Sequence, residues 1–427
     1  MIADLWELRT ALRNWRLSAD ELNSLQERKL AAIVQHAYAN VEYYRTVFRS
    51  VGLTPRDIRR VEDLRLVPVT TKAQLKAAGV ANTTARGVNP AACIMTPTSG
   101  STGMPFATYR SRREARTRHV LDFRVLLSAG LRPRDRFLSL GPAWQPQRRL
   151  HHRLGLYRTF AFSRLLPIDE QIDQVKRIRP DVFWVYPTLL RALLQGIDYR
   201  LSAIARPRVL ITGAEVFDDV LRDRIRADLD VEIFNAYGAV EVGRIAHECR
   251  RHMGLHVNAD SVVFECLNGD APADVREHGV AVVTSLNRFT MPMIRYRLED
   301  RCQRLARRCP CGSSFPLIGP PQGRSWEMIR LPTGQMVSPL VLNVFLRELE
   351  GIDQFRVIQE SPDHVVVQLA SARALAADAL ARLEAQIRGH LREPMRVDIE
   401  RVEYQRADGI KFKTFVSRLH RAEADRA

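Results

Sequence analysis

The chain has 427 residues, 46% of them hydrophobic and 26% charged, with a formal net charge of +17. That length exceeds one comfortable hydrophobic core, so two or more domains are expected, in a composition typical of soluble globular proteins. No apolar run reaches membrane-spanning length, and the start Met1-Ile-Ala-Asp-Leu-Trp-Glu7 carries an acid where a leader would be basic; with six cysteines in so long a chain forming no disulfide framework, a cytoplasmic protein without membrane partners is expected. The basic excess is mostly arginine interspersed with acids, as in Arg222-Asp-Arg-Ile-Arg-Ala-Asp228, which is the pattern of a solvated face. No aromatic-interleaved basic stripe is present, so nucleic acid is not an expected partner.

Taken in order, residues 18–50 read as two amphipathic helices. Ser18 with Glu21 has capping-box spacing, and Leu22, Leu25, Leu30, Ile33 and Val34 recur near the helical period. An extended segment at 66–72 leads to another short helix, making residues 1–90 a helical preface to a larger α/β body. Next comes Met95-Thr-Pro-Thr-Ser-Gly-Ser-Thr-Gly-Met-Pro105, in which Thr98 and Ser99 precede Gly100, and Ser101 and Thr102 precede Gly103. Glycines let the backbone approach a ligand closely, and hydroxyls and amides donate to oxyanions, so the loop is suited to polyphosphate. It is not the P-loop pattern, which needs a Gly-Lys-Ser/Thr ending.

From 91 to about 320, short apolar runs at 136–140, 182–186, 208–212 and 231–235 alternate with helical stretches at 188–195 and 218–229. Such alternation predicts a mainly parallel sheet with ligands bound at the loops after strand ends. The distinctive loops there are Thr212-Gly-Ala-Glu215 and Tyr237-Gly-Ala-Val-Glu241. Segments 280–284 and 293–297 read as strands of a second sheet. Past Gly323-Arg324 a compact α+β domain follows, with strands near 351–357, 365–369 and 396–399 and helices at 340–349 and 373–391.

Four of the six cysteines fall at Cys249, Cys302, Cys309 and Cys311. Cys249, His256, Cys309 and Cys311 make a Cys₃His set of the kind zinc accepts in closed tetrahedral sites, with His252 and Cys302 as reserve ligands. With no position left for water, such a zinc is structural.

With these elements in order, the chain resembles the adenylate-forming superfamily, most closely its phenylacetate–CoA ligase-like and capsule-biosynthesis-like branch, from about residue 20 to 418. The resemblance rests on the loop Thr98–Gly103, Gly213-Ala-Glu215, Tyr237-Gly-x-x-Glu241, Met291-Pro-x-Ile-Arg-Tyr-Arg297 with Asp300, the hinge-like Gly323-Arg-Ser325, and Lys411 before Phe412. It implies a large N-terminal domain (1–323) with mainly parallel sheets and a small mobile C-terminal α+β lid domain (324–427). It also implies ATP-dependent activation of an aryl or small acyl carboxylic acid as an acyl-adenylate with pyrophosphate release, then transfer to CoA. Transfer to an amine or hydroxyl of a natural-product or polysaccharide precursor, and a degraded nucleotide-binding non-enzyme, are the alternatives.

By the same resemblance, Thr98, Ser99, Gly100, Ser101, Thr102 and Gly103 grip phosphates, Lys411 bridges carboxylate and α-phosphate, and Glu241 holds Mg²⁺. Gly213, Ala214, Glu215, Asn235, Ala236, Tyr237 and Gly238 enclose the adenine, Asp300 takes the ribose hydroxyls, and Arg324 adds a contact at the domain junction. Some members of the branch carry a zinc clamp at the places of Cys249, His256, Cys309 and Cys311. The chain departs from the family at Met104, where the loop usually has Lys, at Val240, where it usually has Ser or Thr, and at Trp326-Glu327, where two acids are usual. The expected partners are the acid and CoA or another acceptor, and a homodimer stays open.

Overall fold

The computed structural model describes residues 2–97, 107–140, 150–162, 166–215, 217, 219–275, 277–322, 329–333, 336–337, 352–371, 376–391, 395–403 and 415–419. The chain divides into two compact units, Met1–Arg132 with Phe234–Pro321 and Pro133–Ile233 with Gln322–Ala427. No helix among the described residues is long and apolar enough to cross a membrane.

The first unit opens with a helix the sequence pattern did not signal, Ile2–Asn14, followed by Ala19–Asn40 and Glu42–Ser50. The second of these starts where the capping box places it. Ser18 N donates to Glu21 Oε2 (2.9 Å) and Glu21 N to Ser18 Oγ (3.3 Å), satisfying two amides that a helix start leaves unpaired. Its apolar stripe of Leu30, Ile33, Val34 and Ala37 packs with Tyr44, Phe48 and Leu64 against Val263, Leu286 and Ile294, so the preface covers a sheet of the same unit.

That sheet is antiparallel. In spatial order it runs Val262–Asn268, His278–Ser285, Tyr296–Leu305, Leu317–Ile318, Leu255–Val257, Gly243–Glu248 and Glu232–Ala239. Parallel pairing within 91–320 is thus narrower than the alternation suggested. The strands between 232 and 318 are joined by turns too short to hold a crossover helix, and such connections favour antiparallel neighbours. The predicted strand at 293–297 begins only at Tyr296, because Arg295 turns left-handed (φ 46°) and sends its side chain inward to Glu265 (Nε–Oε2 3.1 Å, Nη2–Oε1 2.9 Å) and the Val67 carbonyl.

The second unit holds the parallel strands, Arg158–Ala161, Arg136–Leu140, Val182–Val185 and Val209–Gly213 in that spatial order. Helices Ile168–Ile178, Pro187–Gln195 and Asp219–Asp228 connect or follow them. Val182–Val185 and Val209–Gly213 are buried at every position, which is why they read as continuous apolar runs. Its C-terminal stretch pairs Ile352–Ser361 with His364–Ser371 antiparallel, flanked in parallel by Phe415–Ser417 and Arg396–Arg401. Leu383 and Ile387 of helix Ala377–Leu391 share a core with Val357, Val367 and Val397. The predicted helix at 340–349 lies outside the described residues.

A buried ion pair ties the first unit together. Arg124, 1% exposed, grips both carboxylate oxygens of Asp260 (2.8 and 2.9 Å) and donates to Asn258 Oδ1 (2.7 Å) and the Ala11 carbonyl (3.1 Å). Asn14 adds a bond to Asp260 Oδ2 (3.0 Å), and Lys29 Nζ reaches the Asp260 carbonyl (2.6 Å). Burial by itself would raise the Asp260 carboxyl, but Arg124, Lys29 and Asn14 hold it below its ordinary value. Removing one partner leaves the other charge buried alone, a loss of about 3–5 kcal/mol. Asp260→Ala is therefore expected to lower the unfolding free energy by about 3–5 kcal/mol, read as a lower urea midpoint at unchanged denaturant slope; a loss under about 1 kcal/mol would show Arg124 rehydrated instead.

Candidate functional site

The turn after strand Glu232–Ala239 is the centre of the candidate site. Tyr237-Gly-Ala-Val-Glu241 reads as a loop in sequence, yet Tyr237, Gly238 and Ala239 finish a strand that pairs antiparallel with Gly243–Glu248. A Cβ at Gly238 would meet the Gly243 carbonyl at 2.6 Å, so only glycine lets the two strands close this tightly. The reversal at Val240–Val242 ends on Gly243 in the left-handed region (φ 97°) and leaves Glu241 at its tip.

Tyr237 is buried, and its hydroxyl donates to Asp300 Oδ2 (2.7 Å) across the sheet. The bond fixes how that acceptor-only carboxylate is presented. Tyr296 OH lies 3.3 Å from Glu241 Oε1, so strand Tyr296–Leu305, farther along the same sheet, steadies the second carboxylate. Asn235 N donates to Glu248 Oε2 (2.7 Å), and Ala236 pairs with His247 in the ladder. Gly213, Ala214 and Glu215 belong to the other unit. There Gly213 ends a buried strand, and Ala214 turns left-handed (φ 66°) and is exposed.

The stretch Thr98–Gly103 lies outside the described residues, as do Met104, Arg324, Trp326 and Lys411. On either side, Ile94–Pro97 pairs with Ala107–Arg110, Pro97 opposite Ala107, and Arg110 Nη2 bonds Thr96 Oγ1 (2.6 Å).

The sequence pattern missed the groups that support this turn. Arg288, 4% exposed, donates through Nη1 to the Glu241 carbonyl and through Nη2 to the Tyr109 carbonyl (2.8 Å). Glu114 holds the segment carrying it by accepting from Phe289 N (2.6 Å), Thr290 N (2.7 Å) and Ser111 N (2.7 Å). Burial pushes Arg288 down to about 10, and burial with neighbouring Arg118 and Arg288 pushes Arg110 down to about 9; both remain cations at neutral pH. A lone Arg in Leu286-Asn-Arg-Phe289 carries no sequence signal, since its partners are main-chain carbonyls of distant segments.

The second constellation is the Cys–His set. Cys249 follows strand Gly243–Glu248, His256 sits in Leu255–Val257, and Cys309 and Cys311 lie on the turn before Leu317–Ile318. Their donor atoms all fall within 4.8 Å of one another, with Cys249 Sγ 3.6 Å from Cys309 Sγ and Cys311 Sγ 3.4 Å from His256 Nε2. Zinc bonds of about 2.3 Å to sulfur and about 2.0 Å to nitrogen place tetrahedral donors about 3.5–3.8 Å apart, so the donor set fits. His256 Nδ1 faces the Phe315 carbonyl (3.2 Å), which can only accept; Nδ1 therefore carries the proton and Nε2 turns its lone pair to the thiols.

Burial, with the neighbouring thiol of Cys309, pushes the Cys249 thiol up to about 12, and burial raises Cys311 as well. Without a cation, these thiols keep their protons. Trp15 roofs the cluster, its ring 4.8 Å from His256, 5.0 Å from His247 and 5.1 Å from Phe315. The reserve candidates stand apart: His252 lies by Glu248 (3.7 Å) and Phe234, and Cys302 is a core residue whose carbonyl accepts from Cys266 Sγ (3.1 Å).

Residues 22–262 match the family described as AMP-binding enzyme. The chain is 29% identical over 306 residues to a phenylacetate-coenzyme A ligase of Escherichia coli (strain K12), covering 66% of this chain and 67% of that protein. It is 24% identical over 368 residues to the phenylacetate-coenzyme A ligase of Thermus thermophilus, covering 80% and 79%. In fold it is similar to a 2-hydroxyisobutyryl-CoA ligase solved in the postadenylation state, with a TM-score of 0.78 at 18% identity over 97% of this chain and 94% of that one.

The metal cluster can be tested without any reaction. The thiol-rich donor set is expected to bind about one cobalt(II) per chain with the intense near-ultraviolet thiolate band and visible bands of tetrahedral coordination. Cys309→Ser should weaken both. Octahedral-type weak bands, or none, would show that the four side chains do not act as one ligand set.

Proposed function

Because this chain belongs to the AMP-binding enzyme family, we propose that it is an AMP-forming acid–CoA ligase acting on an aryl or small acyl carboxylic acid. The observation that carries this reading is that Tyr237, on the hairpin that also bears Glu241 and within the span that matches the family, donates to Asp300 of strand Tyr296–Leu305. The names of the curated relatives, phenylacetate-coenzyme A ligases, favour an aryl acid.

In the first step a carboxylate oxygen of the acid attacks the α-phosphorus of ATP, the bond to the β-phosphate oxygen breaks, and pyrophosphate leaves. In the second the sulfur of CoA attacks the acyl carbonyl carbon, AMP leaves with the bonding electron pair, and the thiol proton passes to solvent or a base. The first step calls for charge stabilisation at phosphorus more than covalent help. Tyr237 offers a ring to the adenine while its hydroxyl orients Asp300, and Asp300 accepts from the two ribose hydroxyls. Asn235 and Ala236 continue that strand beside the base. Glu241 is the ligand for Mg²⁺, a hard cation that takes carboxylate oxygen and, when bound, neutralises phosphate charge. Lys411 supplies the cation between carboxylate and α-phosphate, carried by residues 324–427 acting as a lid domain, and Thr98–Gly103 grip the phosphates.

Zinc held by Cys249, His256, Cys309 and Cys311 is structural, since four protein ligands fill a tetrahedron. A cytoplasmic setting suits it, because thiols stay reduced there and free to ligate.

The test is acid-dependent pyrophosphate release across a panel of aryl and short acyl carboxylates, run beside CoA-dependent thioester formation. Lys411→Ala is expected to abolish pyrophosphate release while thioester formation from supplied acyl-adenylate stays within about threefold, because only the first step needs a cation at phosphorus. Equal loss of both half-reactions would remove Lys411 from this role. Pyrophosphate release without any thioester would move the second step to an amine or hydroxyl acceptor.

A further inference from the structure

Glu241 sits on a turn whose own residues do little to hold it. Val240 offers no hydroxyl, Gly243 is left-handed, and the strand before it is pinched at Gly238. Its rigidity comes from elsewhere in the same unit. Arg288 reaches the Glu241 carbonyl with one terminal nitrogen and the Tyr109 carbonyl with the other, and Tyr109 lies on the strand Ala107–Arg110 that follows residues 98–106. The planar fork of a guanidinium suits two acceptors at once, which a lysine ammonium on a flexible stem does not reproduce. Arg288 is itself placed by Glu114, whose Oε1 accepts from the two amides that follow it, Phe289 N and Thr290 N, while Oε2 accepts from Ser111 N at the head of helix Arg112–Ser128. The chain of contacts runs from that helix start, through the 288–290 segment, to the backbone of Glu241.

We propose that Arg288 is a positioning residue for the metal–polyphosphate half of the nucleotide site: it holds the Glu241 backbone at a fixed distance from the strand that follows the Thr98–Gly103 stretch, while Tyr296 holds the Glu241 carboxylate. It touches neither substrate nor metal and acts through main-chain carbonyls. The bond from Tyr237 on the hairpin to Asp300 on strand Tyr296–Leu305 does not pass through Arg288, so the adenosine half of the site is independent of it. This division rests on the acid-ligase reading given above and makes it more specific.

The experiment compares two ligands by calorimetry on the full chain: α,β-methylene-ATP with magnesium, which engages the polyphosphate half, and AMP, which does not need Mg²⁺. Arg288→Lys keeps the charge and serves as the variant of record should Arg288→Ala fail to fold. Arg288→Lys is expected to weaken magnesium α,β-methylene-ATP by about tenfold or more and AMP by less than about twofold, since a lost charge-assisted bond acts only on the group it held. With magnesium removed, variant and wild type should bind the analogue alike. Equal weakening of both ligands would make Arg288 an ordinary fold residue, and unchanged binding of both would show that the turn holds itself; either outcome overturns the proposal. A wild-type chain that binds neither AMP nor the analogue would overturn the nucleotide-site reading on which the proposal stands.

Discussion

Two opposite charges removed from water, Arg124 and Asp260, set the frame of the first unit. A guanidinium at 1% exposure is tolerable only with its hydrogen bonds made, and those bonds reach the end of helix Ile2–Asn14, the side chain of Asn258 and both oxygens of Asp260. Asn258 in turn donates to the Arg244 carbonyl (3.2 Å) in the strand that returns from the Glu241 turn. The demand that a buried charge be satisfied therefore fixes helices and strands against one another more sharply than apolar contact, which is non-directional, could do alone.

The Cys–His cluster and the hairpin that bears Tyr237 and Glu241 share this frame. Strand Gly243–Glu248 begins beside the Glu241 turn and ends one residue before Cys249, and Glu248 accepts from Asn235 N on the partner strand. His256 pairs with His247 of that same strand, and Trp15 rests on both rings. Gly254 permits the corner: its φ of 127° is closed to most side chains, and a Cβ there would lie 2.9 Å from the Ile318 carbonyl. A structural ion would thus brace one end of a strand whose other end presents the candidate Mg²⁺ ligand.

The departures at Met104 and Val240 mark where the chain differs from the family pattern, and the structure bears on Val240. The hydroxyl missing from the turn coincides with backbone support from Arg288 and side-chain support from Tyr296. Both supports come from segments near the Met291–Arg297 motif. One of the two arginines inside that motif, Arg295, faces the other way, into a buried pair with Glu265.

Much of the fold was legible in the sequence because it rests on local rules. The Ser18–Glu21 capping box, the apolar runs at 182–186 and 208–212, and the α+β pattern after 351 each depend on neighbours in sequence, and each has its counterpart in the structure. The motif order also singled out Tyr237, Glu241 and Asp300, and the thiol and imidazole chemistry pointed to the Cys₃His set, because side-chain type alone limits what such residues can do.

Tertiary structure decided the rest. That Tyr237 donates to Asp300, that His256 turns Nε2 to the thiols, that Trp15 covers the cluster and that Arg288 braces Glu241 all depend on segments brought together over dozens to hundreds of residues. Hydrogen bonds to main-chain carbonyls leave no imprint on the residue that accepts them, since every residue has a carbonyl. The physical reason is general: periodicity and capping are written within a few residues, whereas the partner of a buried polar group is set by where the chain returns.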